Sequence, residues 1–340
     1  MISALTLDRP TPPGHITFVY LQVKKHLYFS ENILRVHMEI QNYLEKLFDK
    51  YSEKRSSFQL HGLSQLIKNI KNDLSPLRSV ELPFSKRSIY FWISGKRPVP
   101  LQDILYLLNN WKKRVSNDLD YTTMLNRCFL STSGISLPGH SRIVKIPKHI
   151  TKELAYLLGY TMGDGCLSQK KYKIQYNDAD IEKLVLVNRL YSEIFNVKGK
   201  IKKHPQKEMY RLEITSKFCL YFLNRICEMP IGRKKDLRIP ELIKKCSHKL
   251  QLYFLVGFFD AEGGYGSYFY SVTQHSLIIL KDLAKIVDKE GIRAKLYGPY
   301  GPYREGESLK WILGMNVANY QKYVRLRNSR IASVKIRRVT

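Results

Sequence analysis

Asp164 and Glu262 lie 98 residues apart; each ends an apolar run and each is followed by glycine. The runs are Glu153-Leu-Ala-Tyr-Leu-Leu-Gly-Tyr-Thr-Met-Gly-Asp-Gly165 and Gln251-Leu-Tyr-Phe-Leu-Val-Gly-Phe-Phe-Asp-Ala-Glu-Gly263. An acid at a helix C-terminus meets the negative end of the helix dipole. Two such acids brought together raise each other's pKa unless cations neutralise them. Oxygen-rich pairs of this kind suit Mg²⁺, which keeps several waters and accepts phosphate oxygens. A metal so held can activate water and stabilise the departing oxygen of a phosphodiester. A helix stop would explain one Gly-Asp-Gly; it does not explain two copies at a matched offset.

Charge supplies the substrate class. Lysine and arginine number 57 against 29 aspartates and glutamates, a net charge of +28. Such an excess calls for a polyanion. The longest apolar stretch, Leu252 to Phe259, is too short to cross a bilayer, so nucleic acid is the expected partner rather than a membrane. Five cysteines (Cys128, Cys166, Cys219, Cys227, Cys246) form no C-x-x-C pair, which argues against a disulfide framework or a structural zinc site. They read as buried small hydrophobes in a reducing, intracellular compartment. No signal-peptide pattern opens the chain, so secretion is not expected.

The elements that must position the acids follow from periodicity. Leu154 to Met162 and Leu252 to Phe259 are apolar nearly all round a helix, as buried helices are. Gly159 and Gly163 share one helical face, as do Gly257 and Ala261, so two backbones can approach there. Gly165 and Gly263 suit a left-handed helix end. After the first run come a strand (170–176), a helix (181–195) and two strands (200–204, 209–215). After the second come a strand (268–273), a helix (277–290) and two strands (293–297, 309–313). Tyr176-Asn-Asp and Thr273-Gln-His are expected at matching places. The expected fold is α+β, one αββαββ-like unit duplicated with pseudo-two-fold symmetry. The strands alternate. Lys171, Lys173 and Gln175 oppose Tyr172, Ile174 and Tyr176. Lys200 and Lys202 oppose Ile201. Arg211, Glu213 and Thr215 oppose Tyr210, Leu212 and Ile214. Arg293 and Lys295 oppose Ala294 and Leu296. Together with Lys310, these donors suit a ribbon in a DNA major groove.

The segments Leu157-Leu-Gly-Tyr-Thr-Met-Gly-Asp-Gly165 and Leu255-Val-Gly-Phe-Phe-Asp-Ala-Glu-Gly263 resemble the two motifs of monomeric LAGLIDADG homing endonucleases. The resemblance covers about residues 146–340, with repeats at about 146–245 and 246–340. It implies motif helices at a pseudo-dimer interface, two antiparallel sheets forming a DNA saddle, and a monomer that cuts both strands of a long double-stranded site. It implies catalytic, metal-holding roles for Asp164 and Glu262, with the carbonyls of Gly163 and Ala261 as further ligands and Mg²⁺ (Mn²⁺ substituting) as cofactor. Met162 stands at the motif's other acidic position, which Asp260 keeps. The segment Gly232-Arg-Lys-Lys-Asp-Leu-Arg-Ile-Pro240 supplies the lysine that relatives place in the active-site water network, either Lys234 or Lys235. Arg330 or Lys335 is the second-repeat counterpart. Members also occur inside inteins; Met1 and the Arg-Arg-Val-Thr340 ending give the expectation of a free-standing enzyme, with an intron as its coding context by resemblance. An intron RNA maturase and a non-cleaving DNA-binding regulator are the alternatives on the same fold.

Residues 1–130 read as a mainly helical N-terminal domain and 131–145 as a linker (Ser131-Thr-Ser-Gly-Ile-Ser-Leu-Pro-Gly-His-Ser141). Residues 16–50 carry no chemistry that can be named, and His15, His26, His37 and His61 suggest no metal site. The segment from about 59 to 114 looks like a helix-turn-helix. Ser85 caps a short helix that Gly95 ends, with Ile89, Trp92 and Ile93 inward and Lys86, Arg87 and Tyr90 outward.

Overall fold

The computed structural model describes residues 58–75, 82–115, 124, 127–139, 141–204, 207–232, 234, 236–265, 269–302 and 308–335. The expectations for residues 1–57 lie outside these.

The N-terminal unit begins with β1 (Gln59–His61) and α1 (Ser64–Asp73), followed by α2 (Lys86–Ile93), β2 (Val99–Pro100), α3 (Leu101–Val115) and β3 (Gly134–Ser136). The Ser85 side chain accepts from the Ser88 N–H and caps α2. Gly95 follows at φ +69°, the left-handed conformation that stops a helix. Ile89 and Trp92 are buried; Ile93 is only half-buried. One expectation needs correcting. Besides its helices the unit contains a small three-stranded antiparallel sheet in the order β2-β1-β3. Its third strand comes from the stretch read as a linker, and all three residues of β3 are buried. Short polar residues there pair with β1 rather than bridge two bodies.

Two matching units follow. The first runs α4 (Lys152–Asp164), β4 (Cys166–Ser168), β5 (Lys173–Asp178), α5 (Ile181–Phe195), β6 (Lys200–Lys203) and β7 (Tyr210–Thr215), then the short α6 (Lys217–Tyr221). After α7 (Glu241–Lys244) the second runs α8 (His248–Glu262), β8 (Gly263–Tyr265), β9 (Tyr270–Gln274), α9 (Leu277–Asp288), β10 (Lys295–Tyr300), β11 (Lys310–Met315) and α10 (Val317–Lys335). The two antiparallel sheets have the same order, β4-β5-β7-β6 and β8-β9-β11-β10. The expected duplication is thus present in an α+β fold. Strands β4 and β8 are additions to the sequence reading. Three residues immediately after a helix are too few to show alternation.

The motif helices form the centre. Every residue from Leu154 to Gly163 is buried, as is every residue from Leu252 to Asp260. A Cβ at Gly159 would lie 1.9 Å from the Phe254 carbonyl oxygen, and one at Gly257 would lie 2.1 Å from that of Tyr156. The helices therefore meet backbone to backbone, as the glycine spacing requires. Gly165 and Gly263 have φ −69° and −83°, so they do not serve a left-handed turn. They are needed for space instead. A Cβ at Gly165 would sit 2.5 Å from the Thr161 carbonyl, and one at Gly263 would sit 1.8 Å from the Tyr270 hydroxyl.

Register also corrects the expected equivalence. Leu167 pairs with Ile174 in the first hairpin and Tyr265 pairs with Tyr270 in the second. The second hairpin is therefore two residues shorter, and the offset falls from 98 at the acids to 96 on the next strand. Asp178 matches Gln274, and Asn177 matches Thr273. Four cysteines are buried and Cys166 is exposed; all five are free thiols. Among the described residues no helix is long and apolar enough to cross a membrane.

Candidate active site

The last turns of α4 and α8 touch. A Cβ at Gly163 would lie 2.5 Å from the Ala261 Cβ and 2.9 Å from the Glu262 Cγ. Asp164 and Glu262 are both half-buried at this contact. Burial raises the Asp164 carboxyl from 3.8 to about 7; the Glu262 carboxylate adds to the rise and Lys234 opposes it. Burial also raises Glu262, against Lys234, a hydrogen bond from Gln274 and the field of His275.

Lys234 is the cation between them. Its ammonium donates to the Gly163 carbonyl and, at 3.4 Å, to that of Thr161. Burial pulls its pKa down while Glu262 and Asp164 push it up. Of the two lysines that the sequence left open, Lys234 is here and Lys235 lies outside the described residues. The second-repeat counterpart is not found in Arg330, whose guanidinium lies over the Tyr253 ring, 5.6 Å from its centroid. Tyr253 is nine residues before Glu262, about 13 Å along the helix. Lys335 ends α10.

Three further groups surround the acids. Asp178, on β5, accepts from the Tyr160 hydroxyl at 2.8 Å and pairs with Lys183 at 3.3 Å. Lys183 also donates to the Asp260 carbonyl at 3.0 Å, joining the repeats. Gln274 occupies the matching place by Glu262. Asp260 is buried, accepts from Tyr156 of the other repeat at 2.9 Å, and pairs with Arg327 of α10 at 2.5 Å. Asp178 and Gln274 were read in sequence only as parts of matching strand segments, and Lys183 was not singled out. The hairpin register that aims Asp178 and Gln274 was the missing signal.

Among the described residues no group of three or more His, Cys, Asp or Glu side chains gathers at one point. The oxygen donors that could hold a divalent cation here are the two carboxylates and the carbonyls of Gly163 and Ala261. Their chemistry is of the kind Mg²⁺ takes, since it prefers oxygen ligands and retains waters.

The first sheet presents its donors as expected. Lys173, Gln175, Asn177, Arg211, Glu213, Lys200 and Lys202 share one face by register: Gln175 and Lys200 flank Glu213, and Asn177 and Lys202 flank Arg211. Ile174, Tyr176, Leu212 and Ile214 on the other face are buried. Lys202 directly opposes Arg211, a like-charge pair that costs stability until an anion arrives. Glu213 accepts from Gln175 at 2.9 Å and meets Lys173 at 3.4 Å. Lys171 is not on a strand; it sits in a 3-10 turn (Lys170–Tyr172) with φ 63°. In the second sheet Lys295 and Lys310 are on strands, but exposed Arg293 lies in the loop before β10. The expected apolar face of β10 is absent, since all six residues are exposed, Leu296 among them. Lys86, Arg87 and Tyr90 are exposed on α2.

Residues 151–227 and 249–330 match the family described as LAGLIDADG-like domain. The glutamine–fructose-6-phosphate aminotransferase of Methanocaldococcus jannaschii is 36% identical over 121 residues, 35% of this chain and 11% of that protein. The probable translation initiation factor IF-2 of the same organism is 25% identical over 203 residues, 57% of this chain and 15% of that protein. The chain thus spans only 11% and 15% of the length of these curated relatives. A solved structure of mesophilic variants of the homing endonuclease I-DmoI aligns with 20% identity and a TM-score of 0.40, covering 52% of this chain and 96% of that one.

Proposed function

We propose that the chain, two segments of which match the LAGLIDADG-like domain family, is a site-specific endonuclease that hydrolyses one phosphodiester in each strand of double-stranded DNA. The observation that carries this reading is the meeting of Asp164 and Glu262 at the ends of two touching helices, with Lys234 beside both. The two sheets extend from that point, the first with a face of lysine, arginine and glutamine donors. Phosphate contacts of that kind hold a duplex in register, while Gln175, Asn177 and Arg211 can reach base edges.

Asp164 and Glu262 would hold Mg²⁺, with the Gly163 and Ala261 carbonyls. The metal when bound supplies a water of lowered pKa and positive charge for the departing oxygen. The chain's own groups do the rest. Lys234 neutralises the acids and offers N–H donors where a phosphate oxygen or water would lie. Gln274 orients the Glu262 carboxylate. Asp178 and Lys183 set the field on the Asp164 side. Tyr156, Asp260 and Arg327 fix the two repeats against each other, so that the acids keep their spacing when the sheets are loaded.

The test is incubation of the protein, and of an Asp164→Asn/Glu262→Gln variant, with duplex DNA carrying a candidate uninterrupted insertion site. Mg²⁺-dependent double-strand cutting by the wild type alone is the expected result. Tight binding without cutting by either protein overturns it in favour of a regulator. Preference for the folded intron RNA overturns it in favour of a maturase.

A further inference from the structure

We propose that the N-terminal unit carries a second duplex-DNA contact, centred on Lys86, Arg87 and Tyr90, which extends the bound site beyond the outer end of the first repeat only. The inference rests on the reading that the two sheets hold duplex DNA.

The surface is built for a polyanion. From Lys86 to Arg97 the sequence holds two lysines and two arginines and no acid. Tyr90 is 60% exposed, unusual for a ring on a well-packed helix. The Lys71 ammonium lies over it, 4.8 Å from the centroid. Phe91 is flanked by Arg97 at 4.6 Å and Arg87 at 5.5 Å. Cations held against rings lose less freedom on meeting phosphate than free side chains do. Behind this face, Ile89 and Trp92 are buried and Phe84 packs edge-on to Trp92 at 4.9 Å. A short, capped helix with a rigid back and a basic, aromatic front has the dimensions and chemistry to enter a major groove.

The one-sidedness follows from how the unit is attached. Strand β4 starts two residues after Asp164 and runs outward, and β5 returns. The turn between them therefore lies at the end of the sheet away from the acids. Tyr172 of that turn faces the Lys217 ammonium at 5.4 Å, and the same ammonium lies 6.0 Å from the Phe58 ring of the N-terminal unit. Phe58 packs edge-on to Phe218 at 6.1 Å. Nearby, the Lys145 N–H donates to the Phe195 carbonyl at 2.9 Å, and the Asn196 side chain to that of Ile143 at 3.1 Å. Lys148 closes the joint by donating to the carbonyls of Phe129 and Thr132. The N-terminal unit is thus fixed to the outer end of the first repeat, the end at which a duplex lying along the sheet would leave it.

The test uses the full chain with Asp164→Asn and Glu262→Gln, which keeps bound DNA whole. Duplexes are selected from a randomised pool, and hydroxyl-radical footprints are compared with and without Lys86→Ala, Arg87→Ala and Tyr90→Ala. Those side chains are exposed, so equal melting curves are expected. The expected footprint shortens by about one helical turn, ~10 base pairs, at one end. Binding weakens by about 10–100-fold and the salt slope falls by about 2, one for each lost cation. Lys173→Ala/Gln175→Ala identifies that end, since it alters base preference in the adjacent half. An unchanged footprint, or loss at the opposite end, overturns the inference while wild-type cutting leaves the endonuclease reading standing. Failure to select any duplex overturns both.

Discussion

Replacing the two acids with amides should stabilise the metal-free protein, and only above about pH 4. In the folded chain Asp164 is held at about 7 rather than 3.8. A carboxyl whose folded pKa is raised binds more protons folded than unfolded between those values. Stability is therefore lost as pH rises from about 4 to 7, and the whole penalty remains at pH 8. Three pKa units correspond to about 4 kcal/mol at most. The carboxyl is half-buried and solvent screens part of this, so about 2–3 kcal/mol is expected for Asp164→Asn. Glu262→Gln adds in the same direction, less than additively because the two carboxylates interact. The assay is urea denaturation in EDTA at pH 4.5 and pH 8, followed by tryptophan fluorescence. The variant should exceed wild type by about 2–3 kcal/mol at pH 8 and by less than about 1 kcal/mol at pH 4.5. Adding Mg²⁺ at ten times its dissociation constant should then stabilise wild type alone, by about 1.4 kcal/mol. An amide variant less stable than wild type at pH 8, or an equal Mg²⁺ response in both, would refute the placement of two acids at the helix ends whose burial Lys234 only partly offsets.

Other expectations follow from the same geometry. Gly159→Ala or Gly257→Ala should cost at least about 3 kcal/mol in denaturation, because neither backbone carbonyl in the way can move without separating the helices. Gly264→Ala, with nothing within 4 Å, should stay within about 0.5 kcal/mol of wild type. Lys234→Met should lower the cleavage rate about 10²–10⁴-fold while leaving duplex affinity nearly unchanged, as read by single-turnover kinetics and filter binding. Lys200→Ala/Lys202→Ala should flatten the salt dependence of DNA binding by about two units of slope without changing which duplex is preferred.

The motif helices and their close contact were legible because small residues four apart on an all-apolar run allow one packing only. The cap and stop of α2 were legible because Ser85 and Gly95 act locally. What sequence hid was register. The first hairpin's extra two residues sit in a 3-10 turn where Lys171 takes a positive φ. That turn removed Lys171 from its strand and shifted the match of Asp178 from His275 to Gln274. The strand Gly134–Ser136 was hidden for a different reason. A polar, glycine-containing segment has no strand signal of its own, and it is held by β1, some 75 residues earlier in the chain. Of the two second-repeat counterparts read from sequence, Arg330 or Lys335, Arg330 lies over the Tyr253 ring instead. Arg330 looked available by sequence position, whereas Arg327, one turn earlier, is the residue that meets Asp260.

The duplication has been kept and lost unevenly, and the pattern has a physical cause. Gly159 and Gly257 remain glycine because each faces a carbonyl of the other helix; a side chain at either would break both repeats at once. Around the acids the constraint is charge rather than shape. One repeat sets Asp178 and Lys183 beside Asp164, and the other sets Gln274 and His275 beside Glu262. These sets differ in chemistry and hydrogen bonding, and each acts on one carboxylate. A single lysine, Lys234, interacts with both acids. The two half-sites are thus alike in backbone and unlike in field, which is the expected outcome where packing tolerates no change and electrostatics tolerates compensation.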